Sequence, residues 1–284
     1  MSGNDKMTEQ SFLREDNNNR LGEIYSRTRQ SVLDGYFLPS QVVDLAGAVH
    51  FFQCSAEEFR TVLKLLKSEG YFSQDLALKW RVRRWNSQEV NDAFDMRKSL
   101  SALAVEKCCD RLSLSSIERL RQIADVTKPS ATMTPAESEN LLIRMKAFFD
   151  YIYRGSVLSD ISDIMAIIFP AALHRMAFRG MTIEQSQSYL SSCKIVCENI
   201  AEGNKAGAVA ASDAALELLA KICVDDVGAR NLLVAGSRAD FDGIRLGSAL
   251  YKHDHTRPYF GFGGFETVSF EGLINTITRG QASH

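Results

Sequence analysis

The chain has 284 residues, 45% of them hydrophobic and 24% charged, with a formal charge of -2. Such a composition belongs to a soluble globular protein long enough for two cores, and it excludes a uniformly basic nucleic-acid coat, so any basic surface must be local. No apolar run reaches the length of a membrane span, and the first residues, MSGNDKMTEQ, lack the apolar core of a secretion signal, so a cytoplasmic protein with no membrane partner is expected.

Residues 1–20 are polar and read as a mobile arm. A helix is predicted from Leu21 to Leu33, with Ile24, Tyr25, Val32 and Leu33 facing inward and Arg27 and Arg29 outward. A second helix is predicted from Gln41 to Phe51. A third runs from Ser55 to Glu69. Ser55 and Glu58 have capping-box spacing, Phe59, Val62, Leu63 and Leu66 form a buried stripe, and Arg60, Lys64 and Lys67 lie on other faces. Gly70 ends this helix. Tyr71–Ser73 and Lys79–Arg83, around a turn at Asp75, read as a two-stranded wing. Three helices and a ribbon make a winged helix-turn-helix, a DNA-binding unit. Residues 60–84 carry seven cations against two carboxylates, a local footprint of the kind a duplex needs.

From Asn86 the pattern turns helical. Helices are predicted at Ser87–Asp110, Ser116–Val126, Pro135–Tyr153, Val157–Phe178, Ile183–Glu202 and Lys205–Val224. Capping-box pairs stand at Asn86/Glu89, Ser115/Glu118, Thr134/Glu137 and Thr182/Gln185. Consecutive helices with short connections indicate an antiparallel bundle. The fold class is therefore mainly α: a winged helix-turn-helix at 21–86, then an all-α bundle at 87–224. Residues 225–284, rich in glycine and aromatics, form an extension that could pack on the bundle, cross to a second subunit or stay mobile.

The six cysteines show no zinc-finger spacing and fall mostly in helical apolar patterns, which predicts reduced, buried thiols. Cys193 and Cys197, one turn apart, could bind a metal or fill a core. No phosphate loop, nucleophile elbow or H-E-x-x-H run is present, so no enzyme is expected.

The ordered set Leu38-Pro39-Ser40, Ser55, Arg60, Leu63, Leu66, Glu69 and Gly70, then Ser87–Val90 and Phe94–Arg97, and later Val196, Ile200, Gly203 and Ala208, resembles the GntR-type transcription regulators of the FadR subfamily. These pair a winged helix with an all-helical FCD effector domain, and the resemblance spans roughly residues 21–224. It implies a homodimer that binds double-stranded operator DNA and responds to a small-molecule effector. Ser55 and Arg60 stand at its DNA-contacting positions, and Lys64, Lys79, Arg81 and Arg83 are added from the local charge. Two positions where many members carry arginine are Ala46 and Ala56 here. The family's metal ligands correspond to Met145, Phe149, Cys193 and Ala215, so no metal or other cofactor is expected. Arg97, Met145, Phe149 and Cys193 become the candidate effector residues, Arg97 meeting either a structural or a ligand carboxylate. The alternative is a repurposed member with a weakened DNA face, acting as a ligand-binding or protein-interaction module.

Overall fold

The computed structural model describes residues 20–125, 134–156, 158, 160, 161, 164, 165 and 169–237. All of the expected arm except Arg20 lies outside them, as do residues 238–284 of the expected extension. Among the described residues the protein is mostly helical with a single two-stranded sheet. This is the expected mainly α fold, a winged helix-turn-helix followed by a helical bundle.

Helix α1 (residues 20–33) buries Ile24, Val32 and Leu33. Helix α2 is Leu45–Phe52, starting later than the expected Gln41. Asp44 takes the N-cap, accepting from the Ala46 N–H at 3.1 Å, and the residues before it are extended. Ser40 and Val43 donate to the Val82 and Trp80 carbonyls, Val82 donates to Gln41, and Val42 bridges Arg81. The adjacent β-branched valines favour this extra edge on the wing over another helical turn.

Helix α3 is Ala56–Ser68, with the expected capping box between Ser55 and Glu58, and it buries Phe59, Val62, Leu63, Leu65 and Leu66. Gly70, at φ +85°, turns the chain out of α3. Strands β1 (Phe72–Gln74) and β2 (Trp80–Val82) pair antiparallel, Phe72 opposite Val82 and Gln74 opposite Trp80.

The bundle comprises α4 (Ser87–Arg111), α5 (Leu114–Ala124), α6 (Pro135–Gly155), α7 (Ala171–Arg179), α8 (Ile183–Glu202) and α9 (Lys205–Ser237). The boxes at Asn86/Glu89, Thr134/Glu137 and Thr182/Gln185 form as expected. Three expectations change. The α5 cap is Ser113, which accepts from the Ser116 N–H at 3.2 Å, instead of a Ser115/Glu118 box. The single helix expected at Val157–Phe178 is interrupted at Pro170, whose ψ of 135° is extended, and α7 begins only after it. Proline offers no N–H and biases the residue before it away from helix. The helix expected to stop at Val224 continues to Ser237.

That continuation brings α9 onto the winged helix. The Arg230 guanidinium, paired with Asp226 at 2.7 Å, donates to the Val32 and Leu33 carbonyls at 3.1 and 3.0 Å. It thereby caps the C-terminal end of α1, where a cation is favoured. Asn231 donates to the Trp85 carbonyl at 2.9 Å and accepts from Arg84 Nε at 3.1 Å. On the other side of the linker, Trp85 Nε1 donates to the Gly70 carbonyl at 3.2 Å. The Ala172 N–H, in the first turn of α7, donates to the Glu69 carbonyl at 2.9 Å. The C-terminal end of α3 is therefore clasped between Trp85 and α7.

A Cβ at Gly70 would lie 2.7 Å from Pro170 Cβ and 3.0 Å from the Trp85 ring, and at a φ that only glycine takes easily. Gly70→Ala is expected to lower stability by roughly 1–3 kcal/mol, measured by urea unfolding. Gly22→Ala, in α1 with nothing within 4 Å of its would-be Cβ, should be neutral or slightly stabilising. Equal midpoints for the two variants would show that the junction is not tight.

Candidate nucleic-acid interface and a buried cation

Two features could carry function. The first is a groove of about 770 Å³ between α3, the extended residues before α2, and the wing. Arg60, Lys64 and Lys67 line it from α3 and Lys79 from the wing, with Val42, Leu45, Leu78 and Trp80 among its apolar residues. The cations share one side because positions 60, 64 and 67 follow the helical period, opposite the stripe that buries Phe59, Leu63 and Leu66.

The expected DNA-contacting residues divide accordingly. Arg60, Lys64 and Lys79 come together in the groove, and Lys67 joins them. Ser55 caps α3, its hydroxyl accepting from the Glu58 N–H at 3.1 Å. The Ser55 N–H donates to the Glu58 carboxylate at 2.7 Å, and these bonds hold that carboxyl below the usual range. Arg81 is drawn inward: its Nε meets Asp75 at 2.9 Å and its NH1 donates to the Ser40 carbonyl at 3.3 Å. Arg83 lies over the Trp85 ring at 3.7 Å and pairs with Glu89 at 3.7 Å. Both are half-exposed and both stiffen the wing or the linker.

No family model and no curated protein matches the sequence. Solved structures do. One is a transcriptional regulator GntR from Rhodococcus sp. RHA1, with TM-score 0.51 and 16% identity over 74% of this chain and 99% of that one. Another is Lar, described as controlling expression of the Listeria monocytogenes agr system and mediating virulence, with TM-score 0.52 and 12% identity over 72% of this chain and 96% of that one. The chain has the fold of a GntR regulator.

The second feature is Arg97. On α4 it is buried, only 2% exposed, and among the described residues no carboxylate forms an ion pair with it. Its NH1 contacts His174 Nε2. Its guanidinium carbon lies 5.1 Å from the Phe149 ring centroid and 4.6 Å from that of Phe169. Its Nε has no hydrogen-bond partner. A buried guanidinium in an aromatic frame gains cation–π attraction but still needs an anion for full compensation.

The other expected effector residues lie in the same core. Met145 and Phe149 on α6 are buried, as is Cys193 on α8, whose Sγ is 3.9 Å from Met145 Sδ. Burial pushes the Cys193 thiol well up, and the nearby Arg97 charge pulls the other way. Tyr189, one turn before Cys193, carries a buried hydroxyl whose neighbour is the Cys193 thiol, and burial raises it well above its ordinary value. Among the described residues no three His, Cys, Asp or Glu side chains cluster as a metal site would require. Also among them, no helix is long and apolar enough to cross a membrane.

Two participants escaped the sequence reading. His174, which is not among the expected effector residues, is the hydrogen-bonding partner of Arg97. Phe169 covers the guanidinium and stacks edge-on against His174 at 4.8 Å. The signal that could have found both is Pro170, which ends one helical segment and sets α7 with His174 facing α4.

Burial, then the charges of Arg97, Lys146 and Arg175, hold His174 well below its ordinary value of 6.5. It is neutral when folded and accepts from Arg97. The unfolded chain takes up this proton near pH 6.5 while the folded chain resists it, so stability present above that pH is lost as pH falls below it. Melting temperatures between pH 8 and pH 5.5 should show this decline, and His174→Gln should flatten it. A native profile with no slope below pH 6.5 would contradict a neutral His174.

Proposed function

We propose that this chain is a DNA-binding transcription regulator of the GntR/FadR type, which binds operator DNA as a dimer and responds to a small effector in its helical domain. The observation that carries the proposal is the groove in which Arg60, Lys64, Lys67 and Lys79 converge from the recognition helix and the wing. A cationic helix beside a cationic ribbon matches a major groove flanked by phosphates. The net charge of -2 is no obstacle, because the field that a duplex meets is local.

The effector in this proposal is a small anion. Arg97 supplies a buried positive charge, its Nε is unpartnered, and Met145, Phe149 and Cys193 supply an apolar wall. A carboxylate would take the place of His174 as the Arg97 partner, with a charge-assisted bond stronger than the neutral one. The route outward is short. Phe169 lies over Arg97, Pro170 follows it and abuts Gly70, and Ala172 bonds to Glu69 at the end of the recognition helix. An anion that moves His174 thus acts on the α7 segment that clasps α3. Such a ligand shifts DNA affinity only if it prefers one arrangement of this contact.

A second function is favoured by Arg81 and Arg83, whose charges are partly engaged by Asp75 and Glu89. A chain whose DNA face has weakened would serve as a ligand-binding or protein-interaction module.

Selection of genomic fragments on the purified protein separates the two. A regulator retains specific fragments and loses them steeply with salt. Arg60→Ala and Lys64→Ala should each weaken the retained complexes by about 1–3 kcal/mol for a base contact, or reduce the salt slope by about one for a phosphate contact. Specific fragments bound equally well by both folded variants would mean that the reading surface is elsewhere. For the effector, a panel of small carboxylates should raise the melting temperature of the native protein. Arg97→Met should lose that shift while staying folded, and a shift retained in Arg97→Met would place the anion at another site.

A further inference from the structure

We infer that the wing tip is an apolar wedge for duplex DNA: Leu76 and Leu78 enter the minor groove beside the recognition helix, part a base step and bend the duplex. This proposal rests on the DNA-binding function proposed above and concerns how that surface deforms its target.

Leu76 is fully exposed and Leu78 is 73% exposed. Large apolar side chains in that state at the end of a ribbon are unusual when other apolar surface lies close by, and Val42 and Trp80 line the same groove as Leu78. The leucines stand out because the turn is fixed by polar bonds. Asp75 Oδ1 accepts from the Ala77 and Lys79 N–H groups at 3.0 and 2.9 Å, and Asp75 Oδ2 meets Arg81 Nε at 2.9 Å. The Leu78 N–H donates to the Asp75 carbonyl at 2.9 Å, and Gln74 Nε2 donates to the Leu78 carbonyl at 3.0 Å. These bonds hold Leu78 at φ +59°, a left-handed conformation that glycine or asparagine would take at less cost. A strained backbone that displays a leucine is a reason to look for what the leucine meets.

The surroundings select the occupant. Lys79 adjoins Leu78 in sequence, and Arg60, Lys64 and Lys67 share the groove with it, so the apolar tip projects from a cationic base that suits a polyanion. The exposed apolar patch is small, being two leucines and a partly exposed Val42. A stable protein partner needs about 800 Å² on each side, which this tip does not offer. A duplex needs no such area, because phosphate contacts supply most of the affinity and the wedge adds the closer contacts that a bent duplex makes. Stiffness helps, since a preset turn loses little freedom on insertion. Wedges of this kind bend DNA by roughly 20–90° and work best at flexible pyrimidine–purine steps.

The test uses the full chain and the most strongly retained genomic fragment, cut to a duplex with a dye at each end. The bend is read by energy transfer and the affinity by titration. The native protein should bend the duplex, and Leu76→Ser/Leu78→Ser should lose more than half of that bend, with affinity lower by about tenfold. Leu76→Lys/Leu78→Lys should recover affinity and steepen the salt dependence without recovering the bend, which separates a wedge from an added phosphate contact. Unchanged melting temperatures certify folding, as both positions are exposed. Equal bend and affinity in native and serine forms would overturn the wedge and leave DNA binding standing. A serine form whose sedimentation changes while its DNA bend does not would assign the leucines to a protein contact and also overturn it. If the native protein retains no duplex at all, both the wedge and the DNA-binding function fall.

Discussion

Where α3 ends, Gly70 takes a positive φ and Pro170 of the bundle presses to within contact distance of it. Any side chain at position 70 would enter the space held by Pro170 and Trp85, so the winged helix and the bundle meet as a fitted pair. The Gly70 carbonyl is used by Trp85 and the Glu69 carbonyl by Ala172. The last carbonyls of α3 itself, at Leu65, Leu66 and Lys67, are met by the N–H groups of Glu69, Tyr71 and Gly70, and the two carbonyls that follow the helix are taken by the linker and by α7. Arg230 does the same for α1 from the far end of α9. Both ends receive hydrogen bonds from the bundle itself, from Ala172 at α3 and Arg230 at α1, so the orientation of α3 depends on the bundle that holds it.

The same α7 that clasps α3 carries His174 into the core against Arg97. A guanidinium with no carboxylate at hand is costly to bury, and two aromatic rings with one neutral imidazole offset only part of that cost. Asp150, half-buried beside Phe149 on α6, lies within electrostatic reach. Burial raises its carboxyl, while Lys146, Arg154 and Arg97 act in the opposite direction. Among the described residues the core therefore holds a charge whose best partner is not among its direct contacts, and Phe169 and Pro170 lead from it to Gly70 at the end of α3. A small change in the Arg97 partner acts on a packed element with little slack.

The surface formed by α3 and the wing balances charge differently. Arg81 and Arg83 brace the wing and the linker, and the free cations are concentrated on α3 and at Lys79. Glu58 is occupied in the capping box and its charge faces the N-terminal end of α3, where the helix dipole favours it. The carboxylates near the groove are thus largely bound to backbone or arginine, which preserves the positive character of the surface despite Ala46 and Ala56.

Much of this was legible in the residues. The capping boxes at Ser55/Glu58, Asn86/Glu89, Thr134/Glu137 and Thr182/Gln185 mark true helix starts, because a cap is a local exchange of hydrogen bonds over four residues. The buried stripe of α3 and the alternation of the wing are equally local, and they carried the fold class and the cationic groove. The start of α2 and the reach of α9 were misjudged, since each depends on a partner distant in sequence: β2 for residues 40–43, the winged helix for Arg230 and Asn231. The cap of α5 and the break at Pro170 are local: Ser113 and Ser115 compete for one cap, and the proline interrupts an otherwise helical apolar pattern. Arg97 could be named as a buried cation, but not its neutral partner His174 or the cover of Phe169. The sequence by itself determined the helices, their faces and the local charge, all set by neighbours within a turn or two. Only the tertiary structure decided which of those charges remain free and which buried groups meet, because burial and pairing are properties of packed elements and not of their spacing along the chain.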